Sequence, residues 1–208
     1  MEYYIPDVTI RRLPAYLRLL GELEDEHAEI VSSAEMSRRT GFSSEQIRKD
    51  LAYFGAFGTR GVGYRVDFLQ ERLRKILGLD GLVAAALVGA GKLGQSLARY
   101  VQSQHRSIRI SHIFDIDEDL VGQTLAGVTI MHTREMEETV AESGVRLAVV
   151  AVPAPEAQEV VDSLARAGVR AILNFAPVFL KPPQGVVMKS VDLSSEMRSL
   201  VYYARKCR

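Results

Sequence analysis

The spacing of apolar positions changes near residue 80. From Val8 to Leu23, apolar residues fall at 10, 13, 17 and 20, with Leu19 and Leu23 widening the stripe. That is the 3.6-residue period of an amphipathic helix. Pro14 lies inside the run, so the helix is expected either to kink there or to begin near it. Ser32 followed by Glu35 has the spacing of a capping box and should open a short second helix that stops at Thr40-Gly41. Ser43 with Gln46 repeats the signal and opens a third helix, 43–54, with Ile47, Leu51 and Phe54 on one face. The glycine-dense stretch from Gly55 to Tyr64 reads as a loop or tight hairpin, and Val66 to Leu77 as a fourth helix.

Beyond Gly81, short β-rich runs alternate with helical ones. Strands are expected over 83–88, 108–114, 128–131, 147–152, 171–173 and 186–188, with helices over 91–102, 133–143 and 155–167. Such alternation argues for a mostly parallel sheet covered on both faces. The expected fold class is α/β. An N-terminal winged helix-turn-helix domain (1–80) precedes a C-terminal Rossmann-type domain (81–192), and residues 193–208 form a last helix. In that tail Leu193, Met197, Leu200, Val201 and Ala204 form an apolar stripe, read as a dimer contact or as packing within its own domain.

Composition changes this picture little. Of 208 residues, 47% are hydrophobic and 25% charged, ordinary values for a globular chain. One cysteine, Cys207, excludes an internal disulfide framework and a Cys-cluster metal site; a reducing, cytoplasmic setting is expected, with no metal. No apolar stretch approaches the roughly 20 residues that cross a bilayer, so no membrane partner is expected. Lys+Arg and Asp+Glu both total 26, yet the charge is uneven. Residues 1–37 hold three basic and eight acidic side chains, whereas 38–75 hold nine basic and four acidic. A basic segment attracts a phosphate backbone whatever the total charge; a solvated helix face explains it equally well.

The strongest chemical signal is Gly89-Ala90-Gly91-Lys92-Leu93-Gly94, a G-x-G-x-x-G that follows an apolar strand and opens a helix. A second strand then ends in Phe114-Asp115. In that context Gly89 permits the tight turn, Gly91 the approach of a pyrophosphate, and Gly94 close packing of helix on strand. Asp115 can accept hydrogen bonds from a ribose, and its charge would repel a 2′-phosphate, which favours NAD(H) over NADP(H). Val152 and Pro153 at the fourth strand, and Asn174, Phe175 and Pro177 after the fifth, should line the same crevice. Asn174 would offer its amide and Phe175 an apolar wall. Plain loop chemistry is the alternative for these last five.

Helix, three-residue turn, helix and glycine-rich hairpin describe a winged helix-turn-helix. On the third helix Ser44, Arg48 and Lys49 project away from Ile47, Leu51 and Phe54. Arg48 or Lys49 can reach guanine or phosphate, and Gln46 a base edge or phosphate. Arg60, beside Gly61 and near Gly63, can enter a minor groove from the wing. A dimerisation module is the alternative.

Together these residues resemble the Rex family of redox-sensing transcriptional repressors. The resemblance rests on the run from Gln46 to Gly55, Gly58 to Tyr64, Gly89 to Gly94, Phe114-Asp115, Ala151-Val152-Pro153 and Asn174 to Pro177, in the family's order. It covers about Thr9 to Tyr203. It implies a homodimer that binds double-stranded, inverted-repeat operator DNA and is released when NADH binds, so that it senses NADH against NAD⁺. It adds Tyr53 to the DNA contacts and places Tyr100 and Asp192 near the subunit interface and nicotinamide. It further implies that the C-terminal helix is swapped between Rossmann domains. A dehydrogenase would need a substrate pocket and proton donor beyond the cofactor domain. None of His27, His105, His112 and His132 sits at an expected strand end near the nicotinamide, so no catalysis is expected. A CoA-binding module remains a further alternative, because Ala151–Pro153 and Asn174–Pro177 also resemble such domains.

Overall fold

Helix α1 (Asp7–Asp25) runs through Pro14 in the computed structural model, which describes residues 5–55, 57–59, 61–104 and 107–206. Pro14 sits on the exposed side, while Thr9, Leu13, Tyr16 and Leu20 are buried before and after it. Burial along that face offsets the one helix hydrogen bond that proline removes. Helix α2 (Ser33–Thr40) starts where the Glu35 N–H donates to Ser32 Oγ at 3.0 Å. Helix α3 (Ser44–Ala52) starts where the Gln46 N–H donates to Ser43 Oγ at 3.1 Å, and it stops two residues short of the expected end. Helix α4 (Val66–Ile76) closes a core of Leu13, Tyr16, Leu20, Met36, Ile47, Leu51, Leu69 and Leu73.

A small antiparallel sheet completes this unit in the order β1 (Ile30–Val31), β3 (Gly63–Arg65), β2 (Gly58–Thr59). The expected hairpin is β2–β3; β1 is too short to show any period. Gly63 has φ +121°, and a Cβ there would stand 2.5 Å from the Val31 carbonyl oxygen. Only glycine lets β1 pair so closely with the wing.

One buried charge ties α3 to α1. The Asp50 carboxylate is fully buried. It accepts from Arg12 Nε (2.6 Å) and Nη2 (2.7 Å), Tyr16 Oη (2.7 Å), Gln46 Nε2 (3.0 Å) and Thr9 Oγ1 (3.1 Å). Burial alone would push this carboxyl up, but the bonds from Arg12, Tyr16, Gln46 and Thr9 outweigh it and hold it below the usual carboxylate range. Burial, then the bond to Asp50, drives the Tyr16 phenol well above its ordinary value.

The chain divides into two compact units at Gly81–Leu82. The second is a seven-stranded sheet in the order β10 (Val187–Ser190), β9 (Ala171–Asn174), β8 (Leu147–Val150), β4 (Val83–Val88), β5 (Ile108–Asp115), β7 (Val128–His132), β6 (Thr124–Leu125). All neighbours pair in parallel except the short edge strand β6, which is antiparallel to β7. Strand order reverses between β4 and β8, the place where doubly wound sheets bind ligands. Residues of β4 alternate between two cores. Ala85 and Leu87 join Ala98 of α5 (Lys92–Gln104), while Ala86 and Val88 join Val140 of α6 (Met136–Ser143) and Val161 of α7 (Ala157–Arg166). The expected helix over 133–143 opens as a 3₁₀ turn, Thr133–Glu135. Helix α8 (Leu193–Lys206) buries none of its residues.

The Asp50 network has a stated cost of disruption. Asp50→Ala leaves Arg12 and Tyr16 without their buried partner and should destabilise the first unit by about 3–5 kcal/mol. Hydrogen exchange should quicken in α1 and α3 and stay unchanged in β4 and β5. Because the folded carboxyl titrates low, its stabilisation is complete above the unfolded value of about 3.9 and is lost as pH falls through the folded value.

Candidate functional site

Strand β4 ends at Val88 and the chain turns at Gly89, φ +97°. A Cβ on Gly89 would lie 2.5 Å from the Ala151 carbonyl oxygen, and one on Gly94 would overlap the Gly89 carbonyl oxygen. A Cβ on Gly91 would meet no protein atom within 4 Å. The three glycines therefore divide their work: two permit backbone crossing, and the third faces open space at the start of α5. N–H groups there lack helical partners and favour an anion.

This space is part of a cleft of about 770 Å³ at the carboxyl ends of the strands. Gly89, Gly91, Lys92, Leu93, Asp115, Val152, Pro153, Phe175 and Pro177 line it, as expected from sequence. Ala90 and Gly94 are buried beneath it instead. The Asp115 carboxylate accepts the Ala90 N–H through one oxygen and the Asp117 N–H, at 3.0 Å, through the other. It thus anchors the glycine turn while its charge stands on the cleft wall.

Three sequence-chosen residues lie away from the cleft. Asn174 is fully buried; its Oδ1 accepts the Ala176 N–H at 2.9 Å, and its Nδ2 donates to Ala176 O and Ser190 Oγ, both at 3.2 Å. Its amide is consumed by the loop and is not offered to a ligand. Asp192 caps α8, accepting from the N–H groups of Ser194 (3.0 Å) and Ser195 (3.1 Å). The Ser195 hydroxyl, then these backbone bonds, hold its carboxyl below the usual range. Tyr100 stands on the exposed face of α5. Conversely Thr133 and Arg134, which the sequence did not single out, and His132, which it set aside as a catalytic group, line the cleft. The signal was available: they follow the third strand of the sheet, which ends one residue later than expected, at His132. The His132 ring accepts the Arg134 N–H at 3.0 Å through Nδ1. Asp117 also lines the cleft and accepts the Asp119 N–H at 2.9 Å.

In the first unit Arg48 and Lys49 are exposed on α3. Arg48 Nη1 donates to Ser33 Oγ at 3.0 Å, and Ser44 Oγ donates to Ser33 O at 3.1 Å. Arg48 lines a groove of about 490 Å³ with Ser32, Ser33, Gly58, Thr59, Gly61, Val62, Gly63 and Tyr64, so the wing, the start of α2 and the later half of α3 share one concave surface. Tyr53 is exposed just after α3. Gln46 turns its amide inward to Asp50, and Gly63 is needed for strand pairing. Arg60, His105 and Cys207 lie outside the described residues. Among the described residues no group of three His, Cys, Asp or Glu side chains is placed to hold a metal.

A winged helix-turn-helix unit joined to a Rossmann unit with an open glycine cleft defines a class: DNA-binding regulators that carry a nucleotide-sensing domain. Two family models match, one described as a CoA binding domain over residues 83–178 and one as a putative DNA-binding protein N-terminus over residues 4–52. The redox-sensing transcriptional repressor Rex of Natranaerobius thermophilus is 46% identical over 200 residues, covering 96% of this chain and 91% of that protein. The Syntrophomonas wolfei Rex is 47% identical, covering 97% and 96%. Among solved structures, RSP in complex with β-NAD⁺ and operator DNA has a TM-score of 0.91 at 36% identity, covering 99% of this chain and 94% of that one. RSP in complex with β-NADH has a TM-score of 0.86 at 35% identity, covering 99% and 96%. The chain belongs to the Rex family of redox-sensing transcriptional repressors.

The glycine assignments separate experimentally. Gly94→Ala should destabilise the second unit by about 1–3 kcal/mol or more, because backbone must move to admit the methyl group. Gly91→Ala should leave thermal unfolding within about 0.5 kcal/mol of the unsubstituted protein.

Proposed function

We propose that this chain represses transcription as a homodimer on an inverted-repeat operator and leaves the DNA when NADH fills the cleft of its second unit. The observation that carries the reading is Gly91, whose Cβ position is clear of protein atoms at a helix start, with the Asp115 carboxylate on the same cleft wall. The pyrophosphate would lie on the N–H groups at the start of α5, and the adenosine ribose at Asp115. The glycines let backbone approach, Asp115 repels a 2′-phosphate, and the nicotinamide falls toward Val152, Phe175 and Pro177. RSP, about one-third identical, was captured with β-NAD⁺ and operator and separately with β-NADH, which supports assigning both redox forms here.

The oxidised ring is cationic and the reduced ring neutral. Apolar walls at Val152, Phe175 and Pro177 would charge the cation a desolvation cost, and each tenfold preference for NADH requires about 1.4 kcal/mol. DNA would meet Ser44, Arg48, Lys49 and Tyr53, with Arg60 and Gly61 of the wing in the minor groove; Gln46 and Gly63 would support these groups from behind. The exposed stripe of Leu193, Met197, Leu200 and Val201 on α8 supports a swapped helix between two copies, with Tyr100 and Asp192 nearby. The two α3 heads then grip half-sites roughly 34–36 Å apart or a multiple of that. By linkage, operator weakens NADH binding by the factor by which NADH weakens operator binding. No described helix is long and apolar enough to cross a membrane; the protein would act in the cytoplasm, beside its DNA and nucleotide pool.

A gel shift on a palindromic operator tests this: NADH should release the band and NAD⁺ should not. Arg48→Ala should weaken operator binding by about 1–3 kcal/mol, roughly fivefold or more, with NADH affinity kept. Asp115→Ala should do the reverse, giving a repressor that holds DNA in the presence of NADH. An operator affinity indifferent to NADH in calorimetry would refute the coupling.

A further inference from the structure

The loop after β9 carries Phe175 and Pro177 on the cleft wall, and two side-chain amides hold it. At its start, Asn174 pairs both its amide groups with the Ala176 peptide. Further along, Gln158 of α7 does the same to Lys181. The Lys181 N–H donates to Gln158 Oε1 at 3.0 Å, and Gln158 Nε2 donates to the Lys181 carbonyl at 3.0 Å. Gln158 Nε2 also donates to Asp162 Oδ1 at 3.0 Å, which fixes the amide on its helix. Leu180 packs against the buried core between these clamps and α7. Gln158 itself does not line the cleft.

Asp115 sits at the end of β5, so the adenosine half lies on that side of β4. Phe175 and Pro177 follow β9, on the opposite side of β4, where the other half of a dinucleotide must go. We infer that Gln158 is a positioning residue for the nicotinamide end of the cleft, acting through the Phe175–Lys181 loop. The inference rests on the nucleotide reading above. Without Gln158 the Lys181 peptide loses both partners, and the loop can relax away from the ring while the glycine turn and Asp115 keep their places. Each bond contributes modestly, yet together they decide whether the wall stands at contact distance.

The distinguishing measurement compares two ligands. NADH reaches both ends of the cleft, whereas ADP reaches only the adenosine end. In full-length Gln158→Met, which keeps side-chain bulk and loses both hydrogen bonds to the Lys181 backbone, NADH affinity should fall about tenfold, close to 1.4 kcal/mol, and ADP affinity should stay within twofold. Should that variant not fold, Gln158→Glu, which keeps the acceptor for the Lys181 N–H, carries the same comparison with a smaller split. NADH affinity unchanged, or NADH and ADP weakened equally, overturns the inference. If the unsubstituted protein binds neither nucleotide, the nucleotide reading itself fails, and the two failures are told apart.

Discussion

The second unit depends on a backbone crossing with no room for a side chain. The carbonyl of Gly89 lies where a Gly94 Cβ would be, and the carbonyl of Ala151 lies 2.5 Å from where a Gly89 Cβ would be. Helix α5 can start directly above the end of β4 only because both positions lack Cβ. That places unpaired helix N–H groups at the switch point between β4 and β8. Everything else in the cleft is arranged around this point. Asp115 reaches back from β5 to hold the turn through the Ala90 N–H, and Phe175 arrives from β9 on the other side. A charged ligand group at the start of α5 is met by backbone whose position the crossing sets, with Lys92 on the same wall.

The first unit solves a different problem by different means. A reading helix must present side chains outward, so its inward face has to fix it firmly. Apolar contacts from Ile47 and Leu51 bury area but are not directional. The Asp50 carboxylate adds direction: four hydrogen bonds from three residues of α1, Thr9, Arg12 and Tyr16, set the rotation of α3 against α1. Gln46 belongs to that network, which explains why a residue on the leading turn of α3 faces away from solvent. Arg48, by contrast, is steadied from α2 by Ser33 while remaining exposed.

Much of this was legible in the sequence, and the exceptions have separate causes. Capping serines at 32 and 43, the period change after Gly81 and the fingerprint from Gly89 to Gly94 are local signals, and each marks an element that formed. Strands β1 and β6 have two residues apiece and carry no period to read. Pro14 suggested a break, but tertiary burial of Leu13, Tyr16 and Leu20 kept α1 continuous. The roles of Asp50 and Gln158 were invisible because the partners they tie to other elements are 34 to 41 and 23 residues away; a buried carboxylate and a surface one look alike in a linear string. His132 to Arg134 could have been found by extending to the third strand the rule applied to the others.

Asn174, Asp192 and Gln46 show why polar residues near a site are poor guides to ligand contacts. Asn174 and Gln46 were chosen for their places beside an expected crevice and groove, Asp192 through the family resemblance, and each spends its hydrogen bonds on the protein. Loops at the carboxyl edge of a sheet leave ladder partners behind, so their N–H and C=O groups need substitutes. Short amides and carboxylates supply them at fixed geometry: Asn174 for the Ala176 peptide, Gln158 for the Lys181 peptide, Asp115 for Ala90 and Asp117. What faces the cleft then includes backbone at the glycine turn, Asp115, the apolar wall of Val152, Phe175 and Pro177, and the polar side chains of Lys92, His132, Thr133 and Arg134. Loops held by such bonds have less freedom to lose when a nucleotide enters. More of the binding free energy is then free to shift an equilibrium between two states of the protein, which is what a sensor must do with it.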